Sequence, residues 1–261
     1  MLSNNNPHSP LPTPHSLKKL KIKICGLFRE QDIDYINEAR PDYCGFVFAE
    51  SKRQVSAELA GKLRQRLADG VVPVGVFVNA PIEEITALYR DGIINIAQLH
   101  GDEDDGYIAH LKEATGNTPI PVIQVIKSEI FNTLTRRHGE HGDHGENSNI
   151  KKPCAPFPPC LREMYSKVNN ADYYLIDSGA GSGKPFNWDL LNPPHSPFPT
   201  PYSLIDKPWF LAGGINLDNI EQAMAINPFG IDISSGAETG GVKDREKILQ
   251  LVSTIRKGNT V

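Results

Sequence analysis

Lys21-Ile-Lys-Ile-Cys25 is the run on which the fold turns. Successive side chains of a strand point to opposite faces, so Ile22 and Ile24 share one face and Lys21, Lys23 and Cys25 the other. If the isoleucines face a layer of helices, the lysines and the thiol face an interior. Working outward, short β-branched or apolar runs recur at 43–48, 74–78, 95–100, 122–127, 173–177, 210–212 and 231–234. Segments with helical periodicity lie between them. Residues 56–67 put Leu59, Leu63 and Leu67 on one face behind Ser56 as N-cap, Pro81 stands in a first helical turn before Glu83 and Glu84, and Asn216 opens 217–226. Eight strands, each followed by a helix-sized interval, predict an α/β protein with a (β/α)8 TIM barrel, at about 25 residues per unit. An open doubly wound sheet alternates in the same way. The polar ends of the runs decide for the barrel: Cys25, Gln98 and His100, Asp177, Gly213 and Gly214, and Ser234 and Ser235 stand where a barrel gathers its strand ends onto one rim.

The chain has 261 residues, a net charge of −4, 39% hydrophobic and 22% charged residues, which is the composition of a globular domain with ample core. It lacks the excess positive charge with which a general nucleic-acid binder neutralises phosphates, and no run of about 18 apolar residues offers a membrane span. Neither nucleic acid nor membrane is an expected partner. The first 18 residues are rich in Asn, Pro, Ser and His, with no apolar secretory stretch. Four cysteines, Cys25, Cys44, Cys154 and Cys160, are too few for a disulfide scaffold, so the expected setting is a reducing cytoplasm.

Proline marks the additions to the core: 14 of the 21 fall within residues 1–18, 153–159 and 193–208. The expected organisation is a disordered N-terminal arm at 1–18 and one barrel domain at 19–261, with surface insertions at about 132–169 and 193–208. Monomer and homodimer both stay open.

Cys25, at the end of its strand and near a lysine, can act as a thiolate base with a lowered pKa; the same position also suits a buried structural cysteine. Asp177 shares a face with Leu175 and Tyr173 at a strand end, where it either caps the next segment or has a task, because an unpaired buried charge is costly. Glycine-containing turns follow strands six, seven and eight: Gly181-Ser-Gly183-Lys184, Gly213-Gly214 and Ser234-Ser235-Gly236. Backbone N–H groups at such turns attract anions, and the pair after strands seven and eight is where many barrels hold a phosphate. A small phosphorylated molecule is the expected substrate.

Seven motifs then line up in order: Lys23-Ile-Cys-Gly26; Gly45-Phe-Val-Phe48 with Ser51-Lys-Arg-Gln-Val-Ser56; Gly75-Val-Phe-Val-Asn79; Gln98-Leu-His-Gly-Asp-Glu103; Gly181-Ser-Gly-Lys-Pro-Phe-Asn-Trp188; Leu211-Ala-Gly-Gly214; and Asp232-Ile-Ser-Ser-Gly-Ala-Glu238 with Gly241-Val-Lys-Asp244. Together the chain resembles the phosphoribosylanthranilate isomerases of tryptophan biosynthesis. The resemblance implies an Amadori rearrangement of N-(5-phosphoribosyl)anthranilate to 1-(2-carboxyphenylamino)-1-deoxyribulose 5-phosphate. It implies that Cys25 is the general base, with a lowered pKa, and Asp177 the general acid, with a raised one. Arg53 matches the family arginine associated with the anthranilate carboxylate. Gln98, His100 and Asp232 are supporting residues at the mouth. The phosphate is expected on Gly213, Gly214, Ser235 and Gly236, with Gly181 and Gly183 as a third wall. No metal or organic cofactor is implied, since the iminium intermediate itself acidifies C2. Two departures stand out: Lys52 occupies a position where the family often has proline, and only Ser178, Gly179 and Ala180 separate Asp177 from the Gly-Ser-Gly-Lys turn.

The competing reading is an inactive barrel that handles a metal or a partner through His138, His141 and His144 with Cys154 and Cys160. A histidine-pathway isomerase, which resembles a two-aspartate arrangement with an aspartate on its first strand, is opposed by Cys25.

Overall fold

The computed structural model describes residues 19–127, 170–177 and 207–259. Its strands are β1 (Lys21–Cys25), β2 (Tyr43–Val47), β3 (Val72–Phe77), β4 (Ile96–Leu99), β5 (Val122–Lys127), β6 (Tyr173–Asp177), β7 (Trp209–Ala212) and β8 (Gly230–Ile233). All eight run parallel and close into a barrel in chain order, β1 pairing with both β2 and β8. The described helices are α1 (Glu30–Ala39), α2 (Ala57–Arg66), α3 (Ile82–Arg90), α4 (Asp105–Ala114), α5 (Ile220–Ala225) and α6 (Arg245–Gly258), and a two-stranded hairpin of β9 (Glu238–Thr239) and β10 (Val242–Lys243) precedes α6. The N-terminal arm, most of both insertions, the Gly181 and Gly183 turn and the His138, His141, His144, Cys154 and Cys160 tract lie outside the described residues.

β1, β5 and β6 have the predicted bounds, and other strand ends shift by a residue or two. β3 begins earlier than predicted, taking in Pro73, whose carbonyl still accepts from Asn95 N at 2.9 Å and so keeps its place in the ladder. In α2 the Ser56 side chain accepts from Leu59 N, as expected of an N-cap; the buried residues are Ala60 and Leu63, with the C-cap Leu67 buried after them and Leu59 only partly covered. Pro81 is the N-cap of α3 rather than a residue of its first turn. α5 is shorter than 217–226 because two asparagines hold the preceding turn: Asn216 Oδ1 accepts from Asp218 N and Asn219 Oδ1 from Asn216 N, both at 2.8 Å.

Alternation along the strands sorts the core into two layers. Ile22 and Ile24 of β1, with Phe46, Leu99, Ile176 and Ile233, fill the layer between barrel and helices. Val74, Ile123, Leu175 and Phe210 fill the barrel interior, where Phe210 meets Tyr43 edge-on at 5.5 Å between ring centroids. Lys23 and Cys25 share the interior parity, as the first strand predicts. The interior is apolar in its lower part and polar toward the C-terminal ends of the strands.

Candidate active site

Cys25 ends β1 and is 7% exposed. It fits because its neighbour across the β1–β2 pair is Gly45, where an added Cβ would stand 2.6 Å from Sγ. One pleat below, Lys23 is fully buried and donates through Nζ to Asp232 Oδ2 at 2.8 Å, the two residues being in register across β1 and β8. Burial works against the ammonium, but Asp232 and Cys25 outweigh it and hold Lys23 above the usual lysine value. The expected lowering of the Cys25 pKa is corrected here. Burial pushes the thiol up, and the attraction of Lys23 and Lys243 does not offset that burial together with the opposing charge of Asp232.

Asp177 ends β6, three strands from β1 by way of β7 and β8. Its Oδ2 lies 3.5 Å from His100 Nε2, the side chains being 16% and 27% exposed. The backbone at His100 is fixed: its main-chain N–H donates to Phe77 O at 2.8 Å, and the buried Glu103 carboxylate accepts from Asn79 N at 2.6 Å and Gly101 N at 2.8 Å, clasping the loops after β3 and β4 together. Gln98 and Asp232 lie on the inner face. Gln98 Oε1 and Asp232 Oδ1 are buried polar atoms with no hydrogen-bond partner among the described residues, so each is available to a ligand hydroxyl or N–H.

Arg53 is not a solvated charge of the loop after β2. Its Nε and Nη2 donate to Glu238 Oε1 and Oε2 at 2.7 and 2.8 Å, and this ion pair holds the guanidinium above its ordinary pKa. Despite Lys52, the loop is fastened: Gln54 Nε2 donates to Phe48 O and Val55 N to Val47 O, both at 2.9 Å. Gly26, at φ +82°, gives the arginine its path, since a Cβ there would stand 2.5 Å from Arg53 Cδ.

After β7, Gly213 and Gly214 both take positive φ, 94° and 64°. After β8, Ser235–Ala237 make a single 3-10 turn, in which a Cβ on Gly236 would fall 1.8 Å from Ile215 O. The two glycine turns therefore pack directly on each other. Sequence reasoning missed Glu103, Glu238 and Lys243 as parts of this rim. The signal for the latter two was the glycine pair at 240 and 241, which folds the chain back so that they stand opposite each other.

What such a rim can do is move protons beside a bound anion, and fold and site together define a barrel enzyme of the acid–base type. The comparisons with known proteins agree with this. The family model for N-(5'-phosphoribosyl)anthranilate (PRA) isomerase matches residues 22–141 and 156–254. The N-(5'-phosphoribosyl)anthranilate isomerase of Endomicrobium trichonymphae is 39% identical over 242 residues, covering 90% of this chain and 98% of that one. That of Clostridium acetobutylicum is 35% identical over 244 residues, covering 91% and 98%. A crystal structure of a phosphoribosylanthranilate isomerase in complex with reduced 1-(o-carboxyphenylamino)-1-deoxyribulose 5-phosphate superposes with a TM-score of 0.65 at 27% identity, covering 92% of this chain and 99% of that one. The chain belongs to the N-(5'-phosphoribosyl)anthranilate isomerase family. The metal-handling alternative is left without support, its residues lying outside those described. No described helix is long and apolar enough to cross a membrane.

Proposed function

We propose that Cys25 is the general base and Asp177 the general acid of an Amadori rearrangement that this isomerase of tryptophan biosynthesis performs on N-(5-phosphoribosyl)anthranilate. The observation that carries the assignment is the convergence of these two side chains, from β1 and β6, on one end of a closed barrel. Asp177 gives its proton to the furanose ring oxygen; the C1–O bond breaks and the anilino nitrogen forms a C1 iminium. Cys25 then takes the proton from C2, and the electron pair neutralises the iminium to an enolamine. Tautomerisation of the enolamine puts a proton on C1 and leaves the ketone at C2. Cys25 takes the C2 proton as the thiolate: burial raises its pKa, Lys23 and the C1 iminium cation favour the charged form, and its own proton leaves to solvent before the C2 proton is taken. His100 supports Asp177, and the free oxygens of Gln98 and Asp232 take the substrate's hydroxyl and amino protons.

Arg53 takes the anthranilate carboxylate, and the amides of Gly213, Gly214, Ser235 and Gly236, with the Gly181 and Gly183 turn, take the phosphate. The relative crystallised with a phosphorylated carboxyphenylamino ligand supports a substrate of this class. The catalytic unit is one barrel domain from 19 to 261 carrying an N-terminal arm and two insertions, working in the cytoplasm. The test is turnover by the purified protein, followed as loss of the substrate's anthranilate fluorescence; absence of turnover sinks the assignment.

A further inference from the structure

Glu238 carries two cations. Both its oxygens accept from Arg53, and Oε1 also accepts from Lys243 Nζ at 2.5 Å. Glu238 and Lys243 are directly opposed across the β9–β10 hairpin, whose two-residue turn, Gly240-Gly241, has φ of +62° and +83°. The hairpin is pinned on three sides. Lys247 Nζ donates to Glu238 O at 2.7 Å, Thr239 Oγ1 to Asp244 Oδ2 at 2.7 Å, and Arg29 Nη2 to Lys243 O at 3.0 Å. Lys243 Nζ also donates to Ser234 O at 3.0 Å, and Ser234 Oγ to Cys25 O at 3.2 Å. The Glu238 carboxyl is held below its ordinary pKa: burial raises it, but Arg53 and Lys243 together win.

A structural ion pair needs one cation per carboxylate, whereas this cluster keeps a net charge of +1. Glu238 occupies the Nε/Nη2 edge of the guanidinium, so Nη1 and the second Nη2 proton form a second edge that makes no hydrogen bond to a described residue. We propose that Glu238 is the positioning residue that holds Arg53 with this second edge presented to the substrate's carboxylate, and that Lys243 preserves the positive charge the carboxylate is drawn to. The proposal rests on the reading of Arg53 as the carboxylate ligand. A free arginine must give up rotamer freedom on gripping an anion; one already clamped by Glu238 has given it up on folding.

The test compares the anthranilate substrate with the analogue built on aniline, which lacks the carboxylate, in Glu238→Gln, Lys243→Met, Arg53→Ala and the Arg53→Ala/Glu238→Gln double variant. Glu238→Gln keeps the volume and loses the charge; Lys243→Met leaves the Arg53–Glu238 pair neutral and serves if the first variant fails to fold. In each, KM for the anthranilate substrate rises about tenfold while kcat stays within a few-fold, and the preference over the aniline analogue falls by the same factor. In the Arg53→Ala background, Glu238→Gln adds no further loss of preference. Equal losses on both substrates, an unchanged or lowered KM, or a full additional loss in the double variant overturns the proposal. If Arg53→Ala itself keeps the preference, the reading of Arg53 falls and takes the proposal with it; if only the Glu238 and Lys243 variants keep it, the proposal falls alone.

Discussion

Lys23 Nζ meets Asp232 Oδ2 at 2.8 Å inside the barrel, the lysine with no exposed surface and the aspartate 8% exposed, one pleat below the Cys25 thiol. The pair explains how a lysine comes to be buried under an active site, and why Asp232 keeps one oxygen committed and one open. Breaking such a pair by removing one partner leaves a buried charge uncompensated, at about 3–5 kcal/mol. Lys23→Met is expected to destabilise the protein by that amount in urea unfolding. Adding Asp232→Asn recovers most of it, and a double variant no more stable than Lys23→Met alone contradicts the pairing argument.

Cys25→Ala and Asp177→Asn are each expected to lower kcat by about 10²–10⁴-fold with little change in KM, because each removes a proton transfer made in the transition state rather than a contact made to bound substrate. Steady-state kinetics on the two variants decide it. Near-normal kcat in either removes that residue from its role.

The thiol titration has a definite sign. Burial raises the Cys25 pKa and Lys23 opposes the rise, so in the ligand-free enzyme the half-point for alkylation of the Cys25 peptide, read by mass spectrometry across pH, lies above the ordinary thiol value of about 8.5. Removing the lysine's charge in Lys23→Met moves it further up. A half-point below 8.5 means that the protein activates the thiolate before substrate arrives.

Residues 1–18 precede the first barrel strand and hold four of the prolines, so deleting 2–17 is expected to leave kcat and KM within about twofold. A large loss in the same fluorescence assay places the arm in the site.

The fold was legible because its signals are local. The alternation in Lys21-Ile-Lys-Ile-Cys25 requires only that a strand put neighbours on opposite faces, and the structure keeps that sorting, with Ile22 and Ile24 against the helices and Lys23 inside. Ser56 is legible as a cap because its bond to Leu59 N spans three residues. Leu217 misled because helical patterning is blind to Asn216 and Asn219, which spend their side chains on the turn before α5. Of the candidate site, Cys25 and Asp177 stand out at strand ends but take their expected roles from the family resemblance, whereas the pairing of Glu238 with Arg53 went unread, since nothing adjacent in the chain tells a carboxylate that its partner is 185 residues away.

The order of strands, the inward face of the first and the polar rim thus follow from the chain read by itself, because a period of two and a terminal position are properties of neighbours. Pairing was settled only in three dimensions. Lys23 with Asp232, Arg53 with Glu238 and His100 with Asp177 are each brought together by closure of the barrel. Whether the Cys25 thiol is lowered by its lysine or raised by its burial depends on how much water that closure excludes, and a linear sequence carries no measure of excluded water.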